Sequence, residues 1–304
     1  MTRINGRISF VLQALFVVFL WSAAKIIIKM GVQEIPPFMF AALVQTMAVV
    51  GLLIYYKFHK RKYRLKFNRQ DVQLMILLGL VTFGGSTLFS IIGLQYVTGA
   101  TAGMIAALNP LMAVGLSVVI LRERPGGWQY LGLIGMLVGA YIFLARGEVT
   151  GALIGIALLL LAEAGFAFSN VVTRLISRQP GDESLTITLV GNLIGAVTLI
   201  PIGLTVDGLS SIAFTPHLVS IIVTVGLIFG FGGLLWAGVL DKLKVVEATV
   251  LSNTMIVQMA ILSVLFLGEA LTANNITGGL LVLIGALVID KGLILPPRFT
   301  MKMV

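Results

Sequence analysis

Ten apolar runs, each near the length of a bilayer crossing, follow one another along the 304 residues of this chain. A helix that spans the hydrocarbon core needs about 20 mostly apolar residues, within a range of roughly 17–25. Cut at polar, proline and glycine breaks, the runs cover 9–30, 37–56, 72–92, 100–121, 128–144, 151–174, 185–206, 217–240, 246–267 and 274–290. Lipid offers backbone groups no hydrogen-bond partner, so runs of this length imply helices. The expected fold is all-α: a polytopic membrane protein with ten transmembrane helices, the fifth and tenth short. Only 11% of the residues are charged, against about 25% in soluble domains, too few to coat a water-facing surface. Of the nine prolines, Pro201 falls in the last turns of the seventh run and Pro110 alone falls mid-run. The others lie in loops or at helix ends, where a missing N–H costs little.

Cytoplasmic loops of membrane proteins are enriched in Lys and Arg. With the N-terminus inside, the internal segments hold 18 of the 21 basic residues, seven of them between Lys57 and Arg69. Arg146 alone falls outside, and Lys25 and Lys29 lie within the first run. The chain is therefore expected to cross the cytoplasmic membrane many times with both termini cytoplasmic. The basic loop reads as an anchor against anionic lipid. The net charge of +9 does not point to nucleic acid, because basic residues lie between the apolar runs and aromatics within them. Arg3, Arg7 and Ser22-Ala23-Ala24 also fit a signal peptide, but cleavage would leave nine spans and destroy an internal repeat.

The repeat emerges at an offset near 146. Trp21-Ser22-Ala23-Ala24-Lys25 followed by Lys29 matches Phe166-Ala167-Phe168-Ser169-Asn170 followed by Arg174 at an offset of 145. Gly84-Gly85-Ser86 matches Phe231-Gly232-Gly233 at 147, and Leu121-Arg122-Glu123 matches Leu267-Gly268-Glu269 at 146. Gly132 and Gly139 then fall on Gly278 and Gly285. Two units are expected, 1–146 and 147–304. Five helices is an odd number, so the second unit enters from the opposite side. Inverted repeats are common in secondary transporters, with the site near the midplane between the halves.

The Trp21…Lys29 signature resembles the drug/metabolite transporter superfamily, in its ten-helix branch of duplicated EamA-type domains. So do Ala102…Asn109-Pro110…Leu121-x-Glu123…Gly132…Gly139 and their copy Ala248…Leu267-Gly268-Glu269…Gly278…Gly285. The resemblance implies two inverted five-helix bundles around a central cavity. It implies export or exchange of amino acids, other metabolites, drugs, nucleotide sugars or sugar phosphates, in many members coupled to protons. Ile256 stands where the first copy has Pro110, so the ninth helix is expected to be straighter than the fourth.

Ionisable residues inside a bilayer are costly and are functional candidates by default. Glu163 lies mid-run in Leu159-Leu160-Leu161-Ala162-Glu163-Ala164. It reads as a proton-coupling carboxylate, a contact for a substrate amine, or the partner of Lys25 in a structural ion pair. Lys25 is placed to reach Glu163 or a substrate anion, or to snorkel outward. Lys29 lies one turn further along the same face and suits snorkelling or gating. Its repeat mate Arg174 belongs at the inner interface. Gln45, Asn109, Asn170, Asn192, Asn253 and Gln258 either line the cavity or bond between helices. Asn109 ranks first, because Pro110 leaves backbone carbonyls free. Trp21 and Trp236 either pack or offer flat faces to a substrate. Glu123 and Glu269 read as helix-end or inter-loop contacts.

The expected substrate-binding or coupling set is Trp21, Lys25, Gln45, Asn109, Glu163, Asn170, Trp236 and Asn253, with Lys29, Pro110 and Arg174 in gating or structural roles. Neither a metal nor a cofactor is expected. The chain has no cysteine and two histidines, His59 and His217, which excludes a histidine metal cluster and leaves no catalytic constellation. No phosphate-binding loop occurs, so direct ATP use is not expected. The partners are a small-molecule substrate, the lipid bilayer and, where transport is coupled, protons. One lysine, one glutamate, amides and tryptophans suit an amino-acid-like zwitterion carried by alternating access. An exchanger of anionic sugar phosphates or nucleotide sugars would want more intramembrane cations. A non-transporting receptor or channel is the alternative from another class.

Overall fold

The structure, a computed structural model, describes residues 2–31, 36–58, 68–120, 126–144, 152–176, 184–208, 214–240, 243, 248 and 251–294. Their regular structure is helical: α1 Thr2–Gly31, α2 Pro37–Phe58, α3 Arg69–Leu78, α4 Thr87–Tyr96, α5 Gly99–Ala106 and α6 Asn109–Ile120. The chain continues with α7 Gly127–Leu144, α8 Ala152–Ile176, α9 Ser184–Val206, α10 Pro216–Leu240, α11 Thr254–Leu267 and α12 Ala273–Ile294. A π-helical stretch, Gly79–Ser86, joins α3 to α4 in one span. Among the described residues seven stretches are long and apolar enough to cross a membrane, and Gly127–Phe143, Thr254–Leu267 and Ala273–Val288 are shorter apolar helices. Together they correspond to the ten runs, and the chain is a multi-pass all-α membrane protein. Large apolar side chains such as Leu131, Ile134, Tyr141 and Leu265 are exposed on the outside, as lipid contact requires.

Local chemistry sets several boundaries. Asn68 and Asp71 form a capping box at the start of α3, each side chain accepting from the other's backbone N–H at 2.7 and 3.0 Å, which satisfies two orphan donors. Asp207, just past α9, accepts from the backbone N–H of Met39 at 2.8 Å and so caps the start of α2. The fourth span breaks at Ala107–Leu108, immediately before Asn109-Pro110, where proline removes a helical donor. The ninth span is interrupted too, by a turn at Asn253. The turn leaves the Asn253 backbone in the right-handed helical region, in the span expected from Ile256 to be straighter than the fourth.

Helices of one half pack mainly on helices of the other. α7 lies along α12, and α2 along α9; α1 packs on α10 and α11, and α8 packs reciprocally on α4 and α6. α2 packs on α10, and the π stretch packs on α9. Exchanging each helix with its counterpart five spans later maps this pattern onto itself. The glycines show the same exchange. A Cβ on Gly139 would meet the Gly278 carbonyl at 2.7 Å, and one on Gly285 would meet the Gly132 carbonyl at 2.7 Å. These are the four glycines that the sequence repeat superposes, and they let α7 and α12 approach closely.

Candidate functional site

A cavity of about 170 Å³ lies between the halves. Lys25 from α1 and Glu163 from α8 meet on its wall, Nζ to Oε1 at 2.8 Å. They are 7% and 5% exposed, so both charges are largely removed from water. Small neighbours, Ala24 before the lysine and Ala162 before the glutamate, are fully buried and keep the two helices slim where the charges emerge. Asn109, at the break between α5 and α6, donates its Nδ2 to Glu163 Oε2 and to the Glu163 carbonyl, each at 3.2 Å. The carboxylate thus carries one donor on each oxygen. Ala106 lines the cavity beside it; its carbonyl would have accepted the N–H that Pro110 lacks.

Polar contacts run on from there. Asn170 donates to Asn109 Oδ1 at 3.4 Å, and the Trp236 indole N–H donates to Asn170 Oδ1 at 3.1 Å. Trp236 meets Trp21 with ring centroids 5.2 Å apart and planes tilted by 56°. Gln45 donates to Asn192 Oδ1 at 2.7 Å, and Asn192 donates to the Thr188 carbonyl at 2.7 Å. The lining extends to Leu78, Thr173, Ile187, Leu240 and Ser252. It therefore reaches toward the end of the bundle where α8 and α10 finish and α9 and α11 begin.

The opposite end is tied together. Lys29 Nζ donates to the carbonyls of Leu94 and Val97 at 3.3 and 2.5 Å. Glu269 accepts from the backbone N–H groups of Gly99 and Ala100 at 2.7 and 3.2 Å, at the positive end of α5. The two side chains thus hold either side of the connection between α4 and α5.

Of the expected set, Trp21, Lys25, Gln45, Asn109, Glu163, Asn170 and Trp236 line the cavity. Asn253 does not; it is buried at 1% exposure beside Ser252, and neither side-chain atom has a hydrogen-bond partner among the described residues. Gln258 bonds between helices instead, accepting from Ser22 at 3.0 Å. Glu123, Arg146 and most loop cations lie outside the described residues, as does the side chain of Arg174. Among the described residues no group of His, Cys, Asp and Glu could hold a metal ion.

Thr82, Phe83, Thr87, Ser90, Phe166, Ser169, Thr173 and Phe229 also line the cavity and are not among the expected site residues, Phe166 and Ser169 having entered only as repeat matches. Helical spacing from Glu163 would have reached Phe166, Asn170 and Thr173, which share its face. Phe83 and Thr82 lie in the π stretch, whose wider turn shifts the face away from the 3.6-residue register.

The family model of EamA-like transporters matches the chain twice, over residues 8–145 and 153–289. An uncharacterized transporter of Bacillus subtilis, YoaV, is 22% identical over 88% of this chain and 92% of its own length. An uncharacterized transporter of Archaeoglobus fulgidus is 25% identical over 91% of this chain and 97% of its own. A protein of Salmonella typhimurium named as a probable amino-acid metabolite efflux pump is 24% identical over 90% and 91%. A solved crystal structure superposes with a TM-score of 0.69 at 20% identity, over 93% of this chain and 98% of that one, which shows a shared fold.

Proposed function

From the premise that this chain belongs to the EamA-like transporter family, a membrane transporter rather than an enzyme, we propose that it carries an amino-acid-like zwitterion by alternating access. The observation that supports this reading best is the buried pair of Lys25 and Glu163 on the cavity wall. Removing one member of a buried ion pair leaves the other charge uncompensated at large cost. A cation alone would satisfy Glu163 and strand Lys25; an anion alone would do the reverse. A zwitterion brings an ammonium for Glu163 and a carboxylate for Lys25, so both charges stay paired as the substrate enters. The relative named as an amino-acid metabolite efflux pump points the same way.

Lys25 and Glu163 offset one another's charge in this pair. That supports facilitated movement of substrate without an obligatory proton, whereas a proton-coupled cycle would need Glu163 to release Lys25 and become protonated. An anionic sugar-phosphate exchanger is less well supported, because Lys29 is committed to two backbone carbonyls and Lys25 to Glu163.

Lys29 and Glu269 make the gate at the closed end in this reading. Their repeat mates Arg174 and Glu123 would close the other end when the cavity opens the opposite way. The basic-residue distribution supports cytoplasmic termini, an orientation in which the closed end is the outer one.

Counterflow in proteoliposomes tests the proposal, with phenylalanine, phenethylamine and 3-phenylpropanoate loaded in turn, with and without a pH gradient. Accumulation of phenylalanine alone, indifferent to the gradient, is expected. Accumulation of the amine or acid alone would refute the zwitterion reading, and loss of transport without the gradient would restore proton coupling at Glu163.

A further inference from the structure

We infer that the substrate carries a large, uncharged, apolar side chain, held among aromatic rings beside the ion pair. The inference rests on the zwitterion reading and concerns the part of the substrate beyond its charged head. Trp21 lies one helical turn before Lys25 on α1, and Phe166 lies one turn after Glu163 on α8. The same periodicity that places the charges on the cavity wall therefore places a ring beside each. Phe83 enters from the π stretch, and Phe229 and Trp236 from α10. Five aromatic side chains thus surround the space that a bound head group would leave open.

The indole and the amides in that space are already spent on one another and on backbone carbonyls. The Trp236 indole donates to Asn170, and Gln45 donates to Asn192, whose own amide donates to the Thr188 carbonyl. Among the described residues the cavity lining holds one cation and one anion, Lys25 and Glu163, and the head group uses both. A second charge on the substrate would be buried unpaired, which an apolar surround penalises. A hydrogen or methyl in place of a large side chain would leave the rings facing a void. Each methylene gained or lost against an apolar wall changes discrimination by roughly 10-fold or more.

The test is competition against phenylalanine counterflow in proteoliposomes of the full chain, with tryptophan, leucine, alanine, serine, aspartate and lysine as competitors. Tryptophan and leucine should compete at least about 10-fold better than alanine, serine or either charged amino acid. Phe166→Ala should reduce the ratio of phenylalanine to alanine transport by roughly 10-fold, whereas a residue with only a packing role would lower both together. Equal competition by alanine, or preference for aspartate or lysine, would overturn the inference while leaving the zwitterion reading intact. If phenethylamine competes as well as phenylalanine and large side chains are still preferred, the head-group reading fails and only the aromatic pocket for a large apolar group stands. Absence of counterflow with every amino acid would overturn both.

Discussion

Lys25 and Glu163 are separated by 138 positions in the chain and by 2.8 Å in space. Their individual importance is legible in sequence, since each is an ionisable residue inside an apolar run. Their partnership is not legible, because sequence offers Lys25 three acceptable destinations. Glu163→Gln alone leaves a buried ammonium without its counter-charge and is expected to destabilise the protein by about 3–5 kcal/mol. Lys25→Met combined with Glu163→Gln removes both charges and should recover most of that loss, while transport stays abolished. Thermal melting in detergent reads the first effect and counterflow reads the second. A double variant as unstable as the single one would show that the pair is not the origin of the cost. Asn253 marks the limit of this way of reading residues. A polar side chain in an apolar run suggests a cavity, yet this one is buried behind the wall with its amide unpartnered among the described residues, and nothing in the sequence separates it from Asn109.

Among the helices, the repeat carried more information than the apolar runs. The runs place helices; the matched glycines indicate where two of them touch. Gly139 and Gly278 face each other so closely that a Cβ on Gly278 would lie 2.6 Å from the Gly139 carbonyl oxygen and 2.6 Å from the Phe143 backbone nitrogen. Neither atom can move without displacing α7. Gly278→Ala is therefore expected to cost about 1–3 kcal/mol through overpacking. Gly115→Ala, where a Cβ would meet nothing within 4 Å, should be neutral or slightly stabilising, because alanine is the better helix former. Parallel melts of the two variants check this, and equal effects would mean that the α7–α12 contact is looser than described. The π stretch was invisible by the same logic. Gly84-Gly85-Ser86 reads as a repeat match, and the structure alone shows its wider turn setting Phe83 against Gly191 and Gly195 of α9, with that ring on the cavity wall.

At the scale of the whole molecule, the packing pattern is its own image under exchange of the halves, but the cavity is not. It reaches toward one end, while Lys29 and Glu269 bond the backbone of the α4–α5 connection at the other. In the alternating-access proposal the two halves give an equivalent state in which the ends are exchanged, and the contacts made in only one state set the balance. Lys29→Met with Glu269→Gln deletes charge-assisted contacts at the closed end while leaving the ion pair in place. The population should then move toward opening at that end. Because the chain contains no cysteine, Ser90→Cys on the cavity wall supplies a single reporter. In sealed right-side-out vesicles, an impermeant thiol reagent should label this cysteine slowly in an otherwise unaltered chain. Adding the Lys29 and Glu269 changes should accelerate labelling by at least roughly 5-fold, the lower end of a coupling of about 1–3 kcal/mol. Unchanged labelling would mean that these contacts cap a helix without holding a gate. Faster labelling from the cytoplasmic side instead would mean that the chain is oriented opposite to its basic-residue distribution.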